Sequence, residues 1–196
     1  LGFIDTSGQV IVEPKYDAVG DKPLEWNRFF TGTSNFILVE NEGKLGLIDR
    51  TGREVLEPLY TQIRPLDDTL FTVTIDSLFT VVNRSGKILI NDRYENIRPI
   101  YNGLAQVRDY FMVQKDGLWG VHKREGHRVF EPQFGYIEII PKGKGYFRVK
   151  EDYGDKHWGL YSSEAVQILP HAFTKITVLN DDFIICLDKD RLGRYS

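Results

Sequence analysis

Apolar and polar residues alternate along this chain in short runs, and turn residues interrupt them at roughly the 8–12-residue spacing of an all-β domain. Residues 118–151 show the pattern in full. Residues 118–123 are one apolar run, and Arg124-Glu125-Gly126 is a turn with glycine where a positive φ is needed. Residues 127–131 read as a second strand pairing back on the first, and Pro132, with no N–H to donate, is expected to stop the ladder. Residues 136–140 are a third strand ending at Pro141. Gly143 and Gly145 then turn the chain into a fourth, 146–151, where Phe147 and Val149 alternate with charged neighbours. No stretch keeps a 3.6-residue period for three turns, so the fold class is all-β.

The strand pattern recurs. GFIDTSGQVIVEPKY from Gly2 matches GLIDRTGREVLEPLY from Gly46, and weaker copies begin at Thr80, Gly120 and Gly159. Six residues after these anchors stand Gly8, Gly52, Gly86, Gly126 and Ala165. Fourteen after stand Tyr16, Tyr60, Tyr94, Phe134 and Phe173, and seventeen after stand Val19, Ile63, Ile97, Ile137 and Ile176. Aromatics make up 13% of the chain, so five at one offset are not chance. The anchors are 44, 34, 40, 39 and 34 residues apart, and a partial copy starts at Gly193. The expected organisation is one repeat domain over 1–196, with units 1–44, 45–78, 79–118, 119–157 and 158–191 and a partial sixth at 192–196. A single unit cannot bury its own face, so neighbours must stack and share a core. Three to four short antiparallel strands per unit fit a propeller-like toroid, which is preferred here to an open superhelical β-array.

Trp119-Gly120 and Trp158-Gly159 straddle two anchors, with Leu1-Gly2, Leu45-Gly46 and Leu192-Gly193 as degenerate versions. Together with the Gly-Leu-Ile-Asp-x-x-Gly run at 46–52 and the Pro-x-Tyr endings, they make the chain resemble the bacterial WG-repeat (KWG-repeat) family. Phe79-Thr80 departs from that pattern. The resemblance implies tandem β-repeats without shared catalytic residues, and a cell-envelope or secreted location. It also implies that Trp119 and Trp158 pack between units.

Composition narrows the chemistry. The 196 residues carry 25 basic and 28 acidic side chains with no basic block, which argues against nucleic-acid binding. No apolar run approaches the roughly 20 residues of a membrane-spanning helix. Met112 is the only methionine, as expected of a fragment or processed product, and Cys186 has no partner for an internal disulfide. His122, His127, His157 and His171 show no metal spacing, and no nucleophile elbow or cofactor motif is present, so neither enzyme activity nor a cofactor or metal is expected. His122 occupies an apolar repeat position, which suits a hydrogen-bonded structural role. The acidic groups at Asp67-Asp68, Asp152 with Asp155, Asp181-Asp182 and Asp188 with Asp190 lack a calcium-loop frame and read as solvated turn carboxylates.

Packing fixes the core positions, so function belongs where one unit carries something its siblings lack. The first unit holds an excess at 21–34, with Trp26, Arg28, Phe29 and Phe30, the residue types of binding hot spots. The third has extra chain near 99–110, with Tyr101, Arg108 and Tyr110. The expected function is a non-catalytic β-repeat scaffold that binds another protein. The alternative is a glycan- or cell-wall-binding module, which requires at least two solvent-facing aromatics flanked by carboxylates.

Overall fold

The computed structural model describes residues 1–19, 36–67, 69–102, 105–140, 145–182 and 184–187. These residues form nineteen short strands and no helix, and no helix long and apolar enough to cross a membrane occurs among them. The chain divides into two compact units, Leu1–Arg93 and Tyr94–Ser196.

The first unit contains β1 (Phe3–Ile4), β2 (Val10–Val12), β3 (Ala18–Val19), β4 (Phe36–Asn41), β5 (Lys44–Asp49), β6 (Glu54–Tyr60), β7 (Gln62–Pro65), β8 (Leu70–Ile75) and β9 (Leu78–Asn83). They pair as three antiparallel meanders: β1-β2, β3-β4-β5-β6 and β7-β8-β9. The second unit contains β10 (Asn96–Asn102), β11 (Ala105–Lys115), β12 (Leu118–Lys123), β13 (Arg128–Phe134), β14 (Tyr136–Ile140), β15 (Tyr146–Lys150), β16 (Trp158–Ser162), β17 (Gln167–Phe173), β18 (Lys175–Val178) and β19 (Ile184–Leu187). Its meanders are β10-β11-β12-β13, β14-β15-β16-β17 and β18-β19. The sheets therefore run out of phase with the sequence copies. Each four-stranded sheet takes its first two strands from one copy and its last two from the next.

Local chemistry explains the recurring motif. Asp5 Oδ1 accepts from Ser7 N, Ser7 Oγ and Gln9 N, and Asp49 Oδ1 accepts from Thr51 N, Thr51 Oγ1 and Arg53 N. Asn83 plays the same part toward Ser85 and Lys87, and Ser162 Oγ toward Glu164 N and Val166 N. The hydroxyls of Ser7 and Thr51, donating to Asp5 and Asp49, hold these carboxyls below the usual carboxylate range. Next in each turn comes a left-handed residue. Gly8, Gly52, Gly86 and Gly126 have φ of 89°, 85°, 82° and 96°, and Ala165 keeps the shape at 60° despite its side chain.

Two residues before the shared aromatic, Pro58 and Pro132 lie inside β6 and β13 instead of ending them, contrary to the expectation for Pro132. The register shows why. Trp119 pairs with Phe134 and Val121 with Phe130, so extra chain bulges out between the two pairs and the proline needs no ladder bond. The bulge sits against the anchor glycine. A Cβ on Gly120 would lie 2.5 Å from Phe130 O and 2.7 Å from Pro132 N, and the corresponding distances at Gly46 are 2.7 and 2.9 Å. Thr80 lacks this clearance. Its Oγ1 donates instead to the buried Ile90 carbonyl at 2.6 Å, and the following segment keeps isolated bridging, as from Val82 to Ile88, in place of a full strand.

Apolar clusters fill the space between consecutive sheets within each unit. Val12 and Tyr16 meet Val39 and Ile48. Phe36, Leu47 and Leu56 meet Ile63, Phe71 and Val73. In the second unit, Met112, Val121, Phe130 and Phe134 meet Ile137, Phe147 and Val149, and Tyr146 and Leu160 meet Ile176 and Val178. Of the five aromatics fourteen residues after the anchors, Tyr60, Phe134 and Phe173 close β6, β13 and β17, while Tyr16 and Tyr94 take the same position without a strand. Tyr16, Tyr94 and Phe134 are buried there, with Tyr60 and Phe173 half-buried.

Candidate functional site

Trp26, Arg28, Phe29 and Phe30 lie outside the described residues. The other expected positions fall on the β10–β11 hairpin, where β11 runs for 11 residues against 5 or 6 in β4, β8 and β15. A bulge after Pro99 bends the hairpin. Beyond it Tyr101 is 58% exposed, and Arg108 is exposed on the return strand. Arg124 anchors this stretch by donating from Nη1 to Arg108 O and from its backbone N to Asp109 O. Tyr110 belongs to the core: its ring meets Phe147 edge-on at 5.3 Å, and burial pushes its hydroxyl above the usual tyrosine range. Of the three, Tyr101 and Arg108 present side chains to solvent.

The tryptophans pack as expected and carry a cation as well. Trp119 joins the cluster containing Phe130 and Phe134, and the Arg98 guanidinium sits over its ring at 4.1 Å. Arg64 lies over Phe79, which takes the equivalent position, at 5.5 Å. Trp158 is faced by Arg148 at 4.4 Å and Lys150 at 4.7 Å. Arg148 is itself fixed, donating to Glu138 Oε2 at 2.5 Å and to Ile176 O at 2.8 Å.

A further departure from the repeat lies just before Trp158. Three copies join their fourth strand to the next first strand by a two-residue turn with both φ positive: Glu42-Gly43, Asp76-Ser77 and Asp116-Gly117. Between β15 and β16 the turn is replaced by residues 151–157. This loop is tied down at both ends and in the middle. Gly135 N donates to Glu151 O at 2.7 Å, and a Cβ on Gly135 would overlap the backbone of Asp152 and Tyr153. Glu151 Oε1 pairs with His171 Nδ1 at 2.7 Å, and Asp155 Oδ1 accepts from His157 N, the main cause of its lowered carboxyl pKa. At the loop tip Tyr153 is 82% exposed. Its ring meets Tyr136 edge-on at 6.5 Å, and Tyr136, 37% exposed, meets Trp158 edge-on at 5.8 Å. Sequence reading noted Asp152 and Asp155 but missed the ring cluster. The available signal was the lost two-residue turn four positions before the anchor Gly159.

The described residues hold no group of three or more His, Cys, Asp or Glu arranged to hold a metal ion. His122 is buried and structural: Tyr94 Oη lies 3.0 Å from its Nε2, Gly126 O 3.0 Å from its Nδ1, and Phe111 stacks on its ring. Several acidic residues serve turns, as Asp67 does toward Thr69 N and Leu70 N. Asp181 accepts from Tyr146 Oη. Burial pushes the Cys186 thiol up, away from the thiolate that nucleophilic chemistry needs.

No curated protein matches the chain. Among solved structures it is similar to "KlHsv2 with loop 6CD replaced by a Gly-Ser linker", at 10% identity and a TM-score of 0.36, over 68% of this chain and 46% of that one. It is also similar to "Structure of Kluyveromyces lactis Hsv2p", at 12% identity and a TM-score of 0.34, over 80% of this chain and 54% of that one. The chain thus spans about half the length of either structure. A family model described as the WG containing repeat matches residues 2–21, 46–78 and 79–119. These matches follow the first three sequence copies, including the one where Thr80 replaces glycine, and the chain belongs to the WG-repeat family.

Proposed function

We propose that this chain is a non-catalytic scaffold that mediates protein–protein interaction, with the β10–β11 hairpin as its contact surface. The supporting observation is the hairpin itself. It is longer than the equivalent hairpins, it is held by Arg124, and it carries Tyr101 and Arg108 into solvent. Tyrosine and arginine on a pre-ordered element lose little freedom on binding and are the residues that concentrate binding energy. The match to a tandem-repeat family is consistent with a scaffold. The test is affinity capture from the source organism with the unaltered chain and with Tyr101→Ala/Arg108→Ala. The reading expects a partner protein that the double variant captures at least tenfold less well. Equal capture by a variant whose circular dichroism is unchanged would remove the hairpin from the account.

A second reading, binding of glycan, is favoured by one specific observation: Tyr136 and Tyr153 both face solvent beside Glu138 and Asp152.

A further inference from the structure

We infer that His122 is an acid-sensitive clasp on the β10–β11 hairpin, which it holds near neutral pH and releases as pH falls through about 6. The inference rests on the protein-binding reading of that hairpin and adds its regulation: a partner bound through Tyr101 and Arg108 is let go in acid.

Two departures from the repeat carry it. In four copies the third residue after the anchor, Asp5, Asp49, Asn83 or Ser162, stitches the following turn through a side-chain oxygen. The remaining copy has Lys123 there, whose side chain has no acceptor to offer and donates to Glu164 Oε1 at 3.1 Å. Its turn is held from the residue before, His122, where the siblings carry Ile4, Ile48, Val82 and Tyr161. His122 Nδ1 lies 3.0 Å from Gly126 O, and a carbonyl can only accept, so Nδ1 carries the ring hydrogen. The bare Nε2, 3.0 Å from Tyr94 Oη, then accepts from that hydroxyl. The same turn holds the hairpin: Arg124 donates from its backbone N to Asp109 O at 2.8 Å and from Nη1 to Arg108 O at 3.1 Å. β11 also reaches the ring directly, Phe111 stacking on it at 5.6 Å with the planes 14° apart.

Protonation opposes this arrangement. A proton on Nε2 turns the acceptor of the Tyr94 hydroxyl into a second donor, and it charges a ring that is 2% exposed between Tyr94 and Phe111. Neighbouring cations add to the cost: Arg128, the ladder partner on β13, and Lys123, each already sharing a carboxylate, Glu131 and Glu164. Asp109 on β11 and Glu125 and His127 in the turn are exposed, where solvent screens their effect on a buried ring. The imidazolium regains water by leaving its place, and its bond to Gly126 leaves with it, so the turn and Arg124 lose their grip on β11. A locally opened form that takes up one proton gains up to about tenfold in population for each pH unit below about 6.5. The held form is therefore favoured above that value and loses ground as pH falls. The sibling stitches are silent in this window. Ser7 and Thr51 hold the Asp5 and Asp49 carboxyls below the usual carboxylate range, and Asn83 and Ser162 carry no charge.

The test is NMR of the full chain at about pH 7.5 and about pH 5.5, either side of the ordinary histidine range. Amide-exchange protection factors are read at Arg124 N and Gly126 N, with Gly52 N of the sibling turn as the control. Protection of Arg124 and Gly126 should fall at least about tenfold in acid while Gly52 stays level, and the ring nitrogen shifts of His122 should show a protonated Nδ1 and a bare Nε2 at the higher pH. Both readings need no variant. His122→Val, which copies Val82, should bring the two protection factors within about twofold of each other across the pH change, and His127→Gln should leave the acid response as it is. Equal protection at both pH values would overturn the inference. So would an imidazolium or an Nε2–H tautomer at the higher pH, or an acid response that survives in His122→Val. An acid-opened clasp in a chain whose Tyr101→Ala/Arg108→Ala variant captures its partner undiminished would refute the binding reading and leave the clasp standing.

Discussion

Gly120→Ala tests the claim that the anchor glycine exists to clear the proline bulge. The added Cβ would lie 2.5 Å from Phe130 O, 2.7 Å from Pro132 N and 2.8 Å from Glu131 C, all backbone atoms that no side-chain rotation can move. Overpacking of this kind costs about 1–3 kcal/mol, and weakening one or two flanking ladder bonds adds about 1 kcal/mol each, so the total is about 3 kcal/mol. For a chain of this size that lowers the melting temperature by roughly 6–12 °C. Two other glycines of the same unit calibrate the number. Gly117 has φ +76° and open space around it, so Gly117→Ala bears only the left-handed penalty of about 1–2 kcal/mol. Gly154 has open space and no positive φ, so its alanine variant stays within about 0.5 kcal/mol of the parent. Urea denaturation followed by the fluorescence of Trp119 and Trp158 reports on the unit that contains all three. A Gly120→Ala variant no less stable than Gly117→Ala would refute the clearance argument.

Three more expectations follow from individual contacts. Thr80→Val keeps the volume but leaves the Ile90 carbonyl buried and unpaired, and should cost about 1–3 kcal/mol in urea titration; an unchanged midpoint counts against that bond. Ala165→Gly removes a Cβ held at φ 60° and should raise stability by about 0.5–1 kcal/mol, measured by thermal melting. Glu54 accepts from Lys15 Nζ at 2.8 Å and from Tyr16 Oη at 2.7 Å, and Lys15 first, then Tyr16, lowers its carboxyl pKa. A lowered folded-state value makes its stabilisation present above the ordinary 4.5 and lost as pH falls through the folded value. Glu54→Gln should therefore cost up to about 1 kcal/mol at pH 7, the partners being part-exposed, and nothing once both states are protonated; a pH-independent difference would contradict this.

The features legible from one copy of the sequence are those enforced by short-range geometry. A turn that needs positive φ shows itself as Gly8, Gly52, Gly86 and Gly126, and a position that must fill the end of a strand pair shows itself as an aromatic. The strands at 118–123 and 146–150 were likewise readable, the first as an apolar run bounded by a turn and the second from the period-2 alternation that the pleat sets. Phasing of the sheets was not. Whether β12 groups with β13 alone or also with β11 depends on pairing across the copy boundary, and alternation is the same in either case. Pro132 misled for a related reason: proline excludes a ladder bond but not a bulge, and the space for the bulge comes from Gly120, twelve residues away. The Tyr136–Tyr153–Trp158 cluster was hidden because its members are 5 to 22 residues apart and come from two copies.

The same physics indicates where such a chain is able to carry function. Val39, Val73, Val113 and Val149 occupy one position in four sheets, each with no exposure, each paired across the ladder with the anchor residue of the following copy. A residue there answers to the sheet beside it and the cluster above it at once, so a change costs stability before it alters any surface. The strand connections carry no such double duty. A two-residue turn with both φ positive is the shortest link that keeps the ladder in register, and Glu42-Gly43, Asp76-Ser77 and Asp116-Gly117 use it. Lengthening it to residues 151–157 adds loop-closure cost and gains no core, yet the added chain is bonded to Gly135 and His171 instead of being left slack. Tyr153, 82% exposed at the tip of that loop, is accordingly a residue whose removal should leave the fold untouched.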